Sequence, residues 1–178
     1  MNEKPDIALA WLDIRIRKIQ RYQGIRNMVW SVLVVVAIVY ILFGVVFGIA
    51  VVQGSSMEPA LYDGDFVLYV RHVSRYSRGD MVIVDVGEEQ AVKRMVALPG
   101  EQVNIDGQVQ VNGTALELPY GEAVTQPKEG CDYPLTLGAG EYFVLGDCRS
   151  NSVDSRNYGP VRQTDLCGKV LCVLRLGG

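Results

Sequence analysis

Histidine is all but missing: His72, in the strand-like stretch VLYVRHVSRY, is the one imidazole in 178 residues. A Ser-His-Asp arrangement would hang on this single position, and no serine in a constrained turn stands near it in sequence. The ordinary reading of His72 is an exposed strand residue. Cysteine is scarce too. Cys131, Cys148, Cys167 and Cys172 lack the close spacing of zinc ligands, so no metal and no other cofactor is expected. A basic surplus is also lacking: 17 Lys+Arg against 20 Asp+Glu leave a formal charge of -3. That offers no field to a phosphate backbone, and nucleic acid is not an expected partner. The length allows one modest domain plus an appendage.

Charge is absent altogether from Met28 to Val52. This stretch, with WSVLVVVAIVYILFGVVFGIAVV at its heart, exceeds the roughly 20 apolar residues needed to cross a bilayer. A core helix is seldom wholly apolar over more than about 14 residues. A cleaved secretory signal has an apolar region of about 7 to 15 residues and a small-residue exit, whereas this run leaves through VVQGSSMEP. The expectation is therefore a retained transmembrane helix over residues 28–50. Arg15, Arg17, Lys18, Arg21 and Arg26 crowd its N-terminal side, and Glu58 and Asp63 are the first charges after it. Positive-inside logic puts residues 1–27 in the cytoplasm, and 51–178 outside, in a single-pass arrangement. Within the first segment, Ile7, Trp11, Ile14, Lys18 and Arg21 stand near helical spacing. Two readings fit: a short helix in the headgroup layer, with lipid as its partner, or a solvated helix that only supplies topogenic charge.

Beyond the span the pattern alternates. DFVLYVRHV, DMVIVDV, GEYFVLGD and KVLCVLRL are β-branched runs bounded by turn residues, and no helical periodicity of useful length follows Val52. Asp106-Gly107 and Asn112-Gly113 supply the positive φ of tight hairpin turns within EQVNIDGQVQVNGTAL. Residues 118–140, rich in Gly, Pro and Glu, read as a loop between strands. The exported part is thus expected to be mostly β. Its four cysteines lie where disulfides are permitted. Cys167 and Cys172 would face opposite ways on one continuous strand; of the three pairings, Cys131 with Cys148 is preferred.

A serine becomes a nucleophile only beside a base. GSSMEP offers a serine pair held between Gly54, which frees the backbone, and Pro59, which stiffens the exit. The pair lies only a few residues past the apolar run, suited to a peptide bond emerging from a membrane.

At this point the chain resembles a known family. GSSMEPAL is similar to the serine box of type I signal peptidases, in which the nucleophile directly precedes the methionine. GDFVLY (64–69), RGDMVIV (78–84), VKRMVALPGE (92–101) and GDCRSNSVDSR (146–156) resemble the family's later boxes in order. The resemblance implies an antiparallel β catalytic domain behind one transmembrane helix and a short cytoplasmic helix, in the plasma membrane. It implies a serine endopeptidase acting, as a monomer, on precursors that carry signal peptides with small residues at the cleavage site. Ser56 would be the nucleophile and Lys93 its base. Ser152 would orient the Lys93 amine, while Asp154 with Arg156, and Gly146 with Asp147, would be structural. Met57 would wall a substrate pocket.

Physical sense can be tested against this. A lysine serves as a base only when desolvated, and Lys93 sits in an apolar run; Arg94, next along a strand, would point outward. The oxyanion's first donor would be the Ser56 N–H, since Gly54 stands where some relatives carry a hydroxyl. Cys148, in place of a usual asparagine, and Ser150, in place of a frequent acid, are further departures. Three other protein classes compete with this reading. A self-cleaving repressor-type Ser/Lys protease would be soluble and DNA-linked, and a signal peptidase of the endoplasmic reticulum type would carry histidine at position 93. A non-catalytic membrane protein would have no use for an intact Ser/Lys pair.

Overall fold

The structure, a computed structural model, describes residues 7–87, 89–117 and 124–175. It divides into two compact units, Met1–Val45 and Val46–Gly178.

The first unit is one continuous helix, α1 (Ile7–Ile41), passing into a π turn over Leu42–Val46. Nothing breaks it at residue 27, because no proline or capping sequence falls there; the basic and apolar stretches, expected as separate helices, are one. Its apolar window within Arg15–Val46 is long enough to cross a membrane, and none of that window is buried against protein.

The helix ends earlier than its apolar composition suggests. The run to residue 50 was expected to stay helical, yet Phe47–Val51 is a strand, β1. It pairs antiparallel with β2 (Phe66–Val70), Phe47 opposite Val70 and Val51 opposite Phe66. Phe, Ile and Val suit a pleated surface as well as a lipid-facing helix, so tertiary pairing decides. Gly48 makes the pairing close: a Cβ there would meet the Tyr69 ring at 2.2 Å.

The remaining strands are β3 (Met81–Val86), β4 (Glu89–Ala97), β5 (Gln102–Ile105), β6 (Val109–Val111), β7 (Thr114–Ala115), β8 (Leu135–Thr136), β9 (Glu141–Leu145), β10 (Val161–Arg162) and β11 (Leu166–Leu174). A single helical turn, α2 (Ser155–Tyr158), follows β9. Among the described residues a seven-stranded sheet runs β1-β2-β11-β3-β4-β9-β10, and a four-stranded sheet runs β7-β6-β5-β8. All the pairings are antiparallel. The fold is mostly β, and the strands read from the alternating runs are present. The small sheet is built on the two expected turns, with Asn112 and Gly113 both at positive φ.

β4 is the strand that matters for chemistry. It lies between β3 and β9, and every residue from Val92 to Ala97 is buried. Val92 joins an apolar cluster with Met57, Leu61, Val67 and Ile83; Met95 joins another with Val82, Tyr142 and Val144; Val96 and Ala97 join a third with Val103 and Phe143. A strand covered on both sides can hold a polar side chain dry.

No disulfide joins the cysteines, and the preferred Cys131–Cys148 pair is not formed. The Cys131 thiol instead donates to the Ser155 carbonyl at 3.3 Å.

Candidate active site

The turn after β1 carries Ser56. Val52 N–H donates to the Asp65 carbonyl at 2.8 Å and Gly64 N–H returns to the Val52 carbonyl at 2.9 Å, pinning both ends of the loop. Gly54 N–H donates to Asp63 Oδ1 at 2.7 Å. Met57 and Leu61 drive it into the core, exposed by only 1% and 0%. Burying two such side chains contributes about 1.5–3 kcal/mol each, which holds the intervening backbone against fluctuation.

Three side chains from distant parts of the chain converge here. Lys93 Nζ lies 3.1 Å from Ser56 Oγ and 3.3 Å from Ser152 Oγ. Lys93 is 4% exposed. Burial pulls its pKa below the ordinary lysine range; Asp154 works against this, and Arg156 and Lys128 add to it.

The loop after β9 supplies the support. Asp154 caps α2, accepting from the Arg156 N–H, and Asn157 Oδ1 accepts from the Asp154 N–H at 3.2 Å. Arg156 Nε and Nη2 lie 2.8 and 2.9 Å from the Asp154 carboxylate, which also accepts from Gly146 N–H at 3.1 Å. Burial by itself would raise the Asp154 pKa, but the bonds and charge of Arg156, with Gly146 and the Ser152 hydroxyl, hold it below the usual range. Gly146 is where backbones nearly touch. A Cβ on it would meet Ser152 Oγ at 2.2 Å and the Ser56 carbonyl at 2.6 Å, so any side chain would prise apart the two serines' segments. Cys148 N–H, two residues on, donates to that same Ser56 carbonyl at 3.1 Å.

Arg94 departs from expectation. It was expected to point outward, and it is instead 4% exposed. Nε and Nη2 reach the Asp147 carboxylate at 2.7 and 2.6 Å, and Nη1 donates to the Gly79 carbonyl at 2.8 Å. Alternation does turn it away from its neighbour's side of the strand, but that side is covered too. Sequence reasoning also missed Arg149, whose Nε donates to the Gly146 carbonyl at 2.8 Å and Nη1 to Thr125 Oγ1 at 2.9 Å. It missed Lys128, whose Nζ donates to the Ser152 carbonyl at 2.6 Å. Arg149 lies inside the last box and could have been flagged; Lys128 lies in a loop with no local signal.

A cleft of about 780 Å³ opens over the site, lined by Ala50, Val52, Ser56, Met57, Ile83, Lys93, Val153 and Tyr158 among others. Met57 is thus both a core residue and part of the cleft wall. His72 lines a different depression, with Arg71, Ser74 and Tyr76, which shares no residue with this cleft.

Comparison with known proteins places the chain in a family. The family model described as signal peptidase, peptidase S26, matches residues 25–174. Signal peptidase I of Bacillus licheniformis is 36% identical over 143 residues, covering 72% of this chain and 77% of the relative. Signal peptidase I S of Bacillus subtilis strain 168 is 33% identical over 142 residues, covering 72% and 77%. A crystal structure of a signal peptidase I from Enterococcus faecalis V583 is similar at 31% identity and a TM-score of 0.49, over 57% of this chain and 100% of that one. The chain belongs to the signal peptidase family, peptidase S26, and is a hydrolase.

Proposed function

We propose that the chain is a membrane-bound serine endopeptidase that removes N-terminal signal peptides from exported precursors through a Ser56–Lys93 dyad. What carries this reading is an amine 3.1 Å from a serine oxygen, buried and lowered in pKa by its desolvation. An amine that gives up its proton more readily than an ordinary lysine has a lone pair to offer, and a general base must lie within hydrogen-bond reach of the proton it takes.

The hydrogen-bonded contacts support the following sequence of events. The Asp154 carboxylate accepts the Ser152 hydroxyl proton, which leaves the Ser152 oxygen to accept an N–H of Lys93. The amine so held turns its lone pair to Ser56. Oγ gives up its proton to Nζ as it attacks the scissile carbonyl, and the ammonium then protonates the departing amine. The acyl-enzyme is hydrolysed by a water that the same amine deprotonates. The Ser56 N–H is the first oxyanion donor. The precursor lies extended in the cleft, where strand-like recognition suits an enzyme of antiparallel sheets, and Met57 borders the bound residues. No step calls for a metal or other cofactor.

The helical unit is the anchor. An apolar window with none of its surface buried against protein calls for lipid, and the basic residues before it orient the N-terminus to the cytoplasm, with the domain beyond residue 46 outside the plasma membrane. It acts as a monomer.

The decisive assay is cleavage of an Ala-x-Ala secretory precursor by the full-length chain in detergent or lipid. Ser56→Ala and Lys93→Ala each abolish cleavage, and His72→Ala leaves it within about twofold. Full activity in the Lys93 variant overturns the mechanism.

A further inference from the structure

We infer that Lys128 is a positioning residue for the dyad: its ammonium ties down the loop that presents Ser152 and sets a fixed positive charge against a second one on Lys93. The inference rests on the Ser56–Lys93 reading above.

Lys128 lies outside every stretch that resembles the family's boxes, yet it is wired into the segment behind Ser152. Its Nζ donates to the Ser152 carbonyl at 2.6 Å and lies 3.4 Å from Asn157 Oδ1. Asn157 is the residue that closes the capping box on Asp154. One amine therefore touches the backbone of the residue that orients Lys93 and the side chain that fixes the residue holding Ser152.

The strand of chain carrying Lys128 is fastened on both sides. Before it, Thr125 is fully buried, donates its N–H to the Gly107 carbonyl at 2.9 Å and accepts from Arg149 Nη1 at 2.9 Å. After it, Gly130 N–H donates to the Arg156 carbonyl at 3.0 Å, and the Cys131 thiol donates to the Ser155 carbonyl at 3.3 Å. A lysine side chain on such a base gives up less freedom in reaching Ser152 than one on a mobile loop would.

Charge gives Lys128 its second role. Among the described residues, the charged groups acting on Lys93 are Asp154, Arg156 and Lys128, and its near neighbours Ser56 and Ser152 are neutral hydroxyls. Asp154 and Arg156 bond each other at 2.8 Å, so their effects on a third group largely cancel. The partners of Lys128 are a carbonyl and an amide oxygen, neither of which carries charge. Its cation adds to that of Arg156 in opposing a second charge on Lys93, and like charges inside protein repel far more than in water.

The test measures kcat/KM against pH for full-length Lys128→Gln, Lys128→Met and Lys128→Arg chains in detergent, on an Ala-x-Ala precursor, with Lys93→Ala alongside. Removing the charge moves the acidic limb to higher pH, so the Gln and Met variants lose about tenfold near pH 7 and recover to within about twofold at the alkaline plateau. Gln, which can still donate to the Ser152 carbonyl, recovers more fully than Met. Arg, which keeps charge and donor, retains the wild-type limb. An unmoved limb in whichever neutral variant folds, whether activity is normal or uniformly low, overturns the inference. If Lys93→Ala is inactive in that same experiment, the dyad stands and only the role of Lys128 falls; if Lys93→Ala is active, the dyad itself falls.

Discussion

Lys93 and Arg94 are neighbours on β4, equally hidden at 4% exposure, and the two sides of the strand treat them in opposite ways. On one side Arg94 meets a carboxylate in a two-pronged contact, Nε and Nη2 each within 2.7 Å of Asp147. On the other, Lys93 meets two hydroxyls, while the Asp154 carboxylate that acts on it is engaged by Arg156. Burial penalises charge in both places. The difference is whether the surroundings return what desolvation removes: for the guanidinium they do, and it is a structural cation; for the amine they do not, which is what the proposed role as a base requires. Arg and Lys are not interchangeable here, since a guanidinium cannot be deprotonated in a protein.

The largest effect follows from exchanging the cation type at the reactive position. Lys93→Arg places a permanent positive charge beside Ser56, and precursor cleavage falls by about 10³-fold or more even though the charge of an ordinary lysine is kept. Appreciable turnover by this variant would mean that the amine acts only as a cation. The next effect is on stability. Arg94→Met strands the fully buried Asp147 carboxylate, and leaving a buried ion without its partner costs about 3–5 kcal/mol. Thermal or denaturant unfolding reads the loss, and Arg94→Met with Asp147→Leu regains much of it by removing both charges. If Arg94→Met unfolds like the wild type, Arg94 is no more structural than a surface residue.

Much of this was legible beforehand, for reasons that also mark where reading stops. Strands appear in sequence because alternation reports which face is buried, and the Asn112-Gly113 turn because few residues tolerate its backbone. Ser56, Lys93 and Ser152 stood out through ordered short motifs. Their meeting within 3.3 Å is a long-range fact that no local pattern contains. Arg94 was misread because alternation gives the direction of a side chain and not what covers that side. The end of α1 was misread because an uncharged β-branched run serves a lipid-facing helix and a paired strand equally well; β2 decides it by offering Phe47–Val51 an edge. Lys128 gave no signal, since its importance lies in the partners brought to it by the folded loop. The cysteine pairing failed because side-chain direction along one strand says nothing about distances between loops.

The smallest predicted effect sharpens the comparison most, because it concerns stability at the reactive lysine itself. Folding lowers the pKa of Lys93 from the ordinary value of 10.5. Between the native value and 10.5 the unfolded chain binds more protons than the native one, so the wild type grows more stable as pH rises through that window and is penalised below it. Methionine fills similar space and has no proton to lose. Lys93→Met is therefore more stable than the wild type near neutral pH, by on the order of 1 kcal/mol, and its advantage shrinks as pH climbs toward the lysine range. Arg94→Met has the opposite sign at neutral pH. Parallel melts of the two variants across pH, in one detergent, test the pair. A Lys93→Met chain that is destabilised at pH 7, with a gap from wild type that does not narrow on raising the pH, would mean that the lysine is held as a paired ammonium, as its neighbour's guanidinium is.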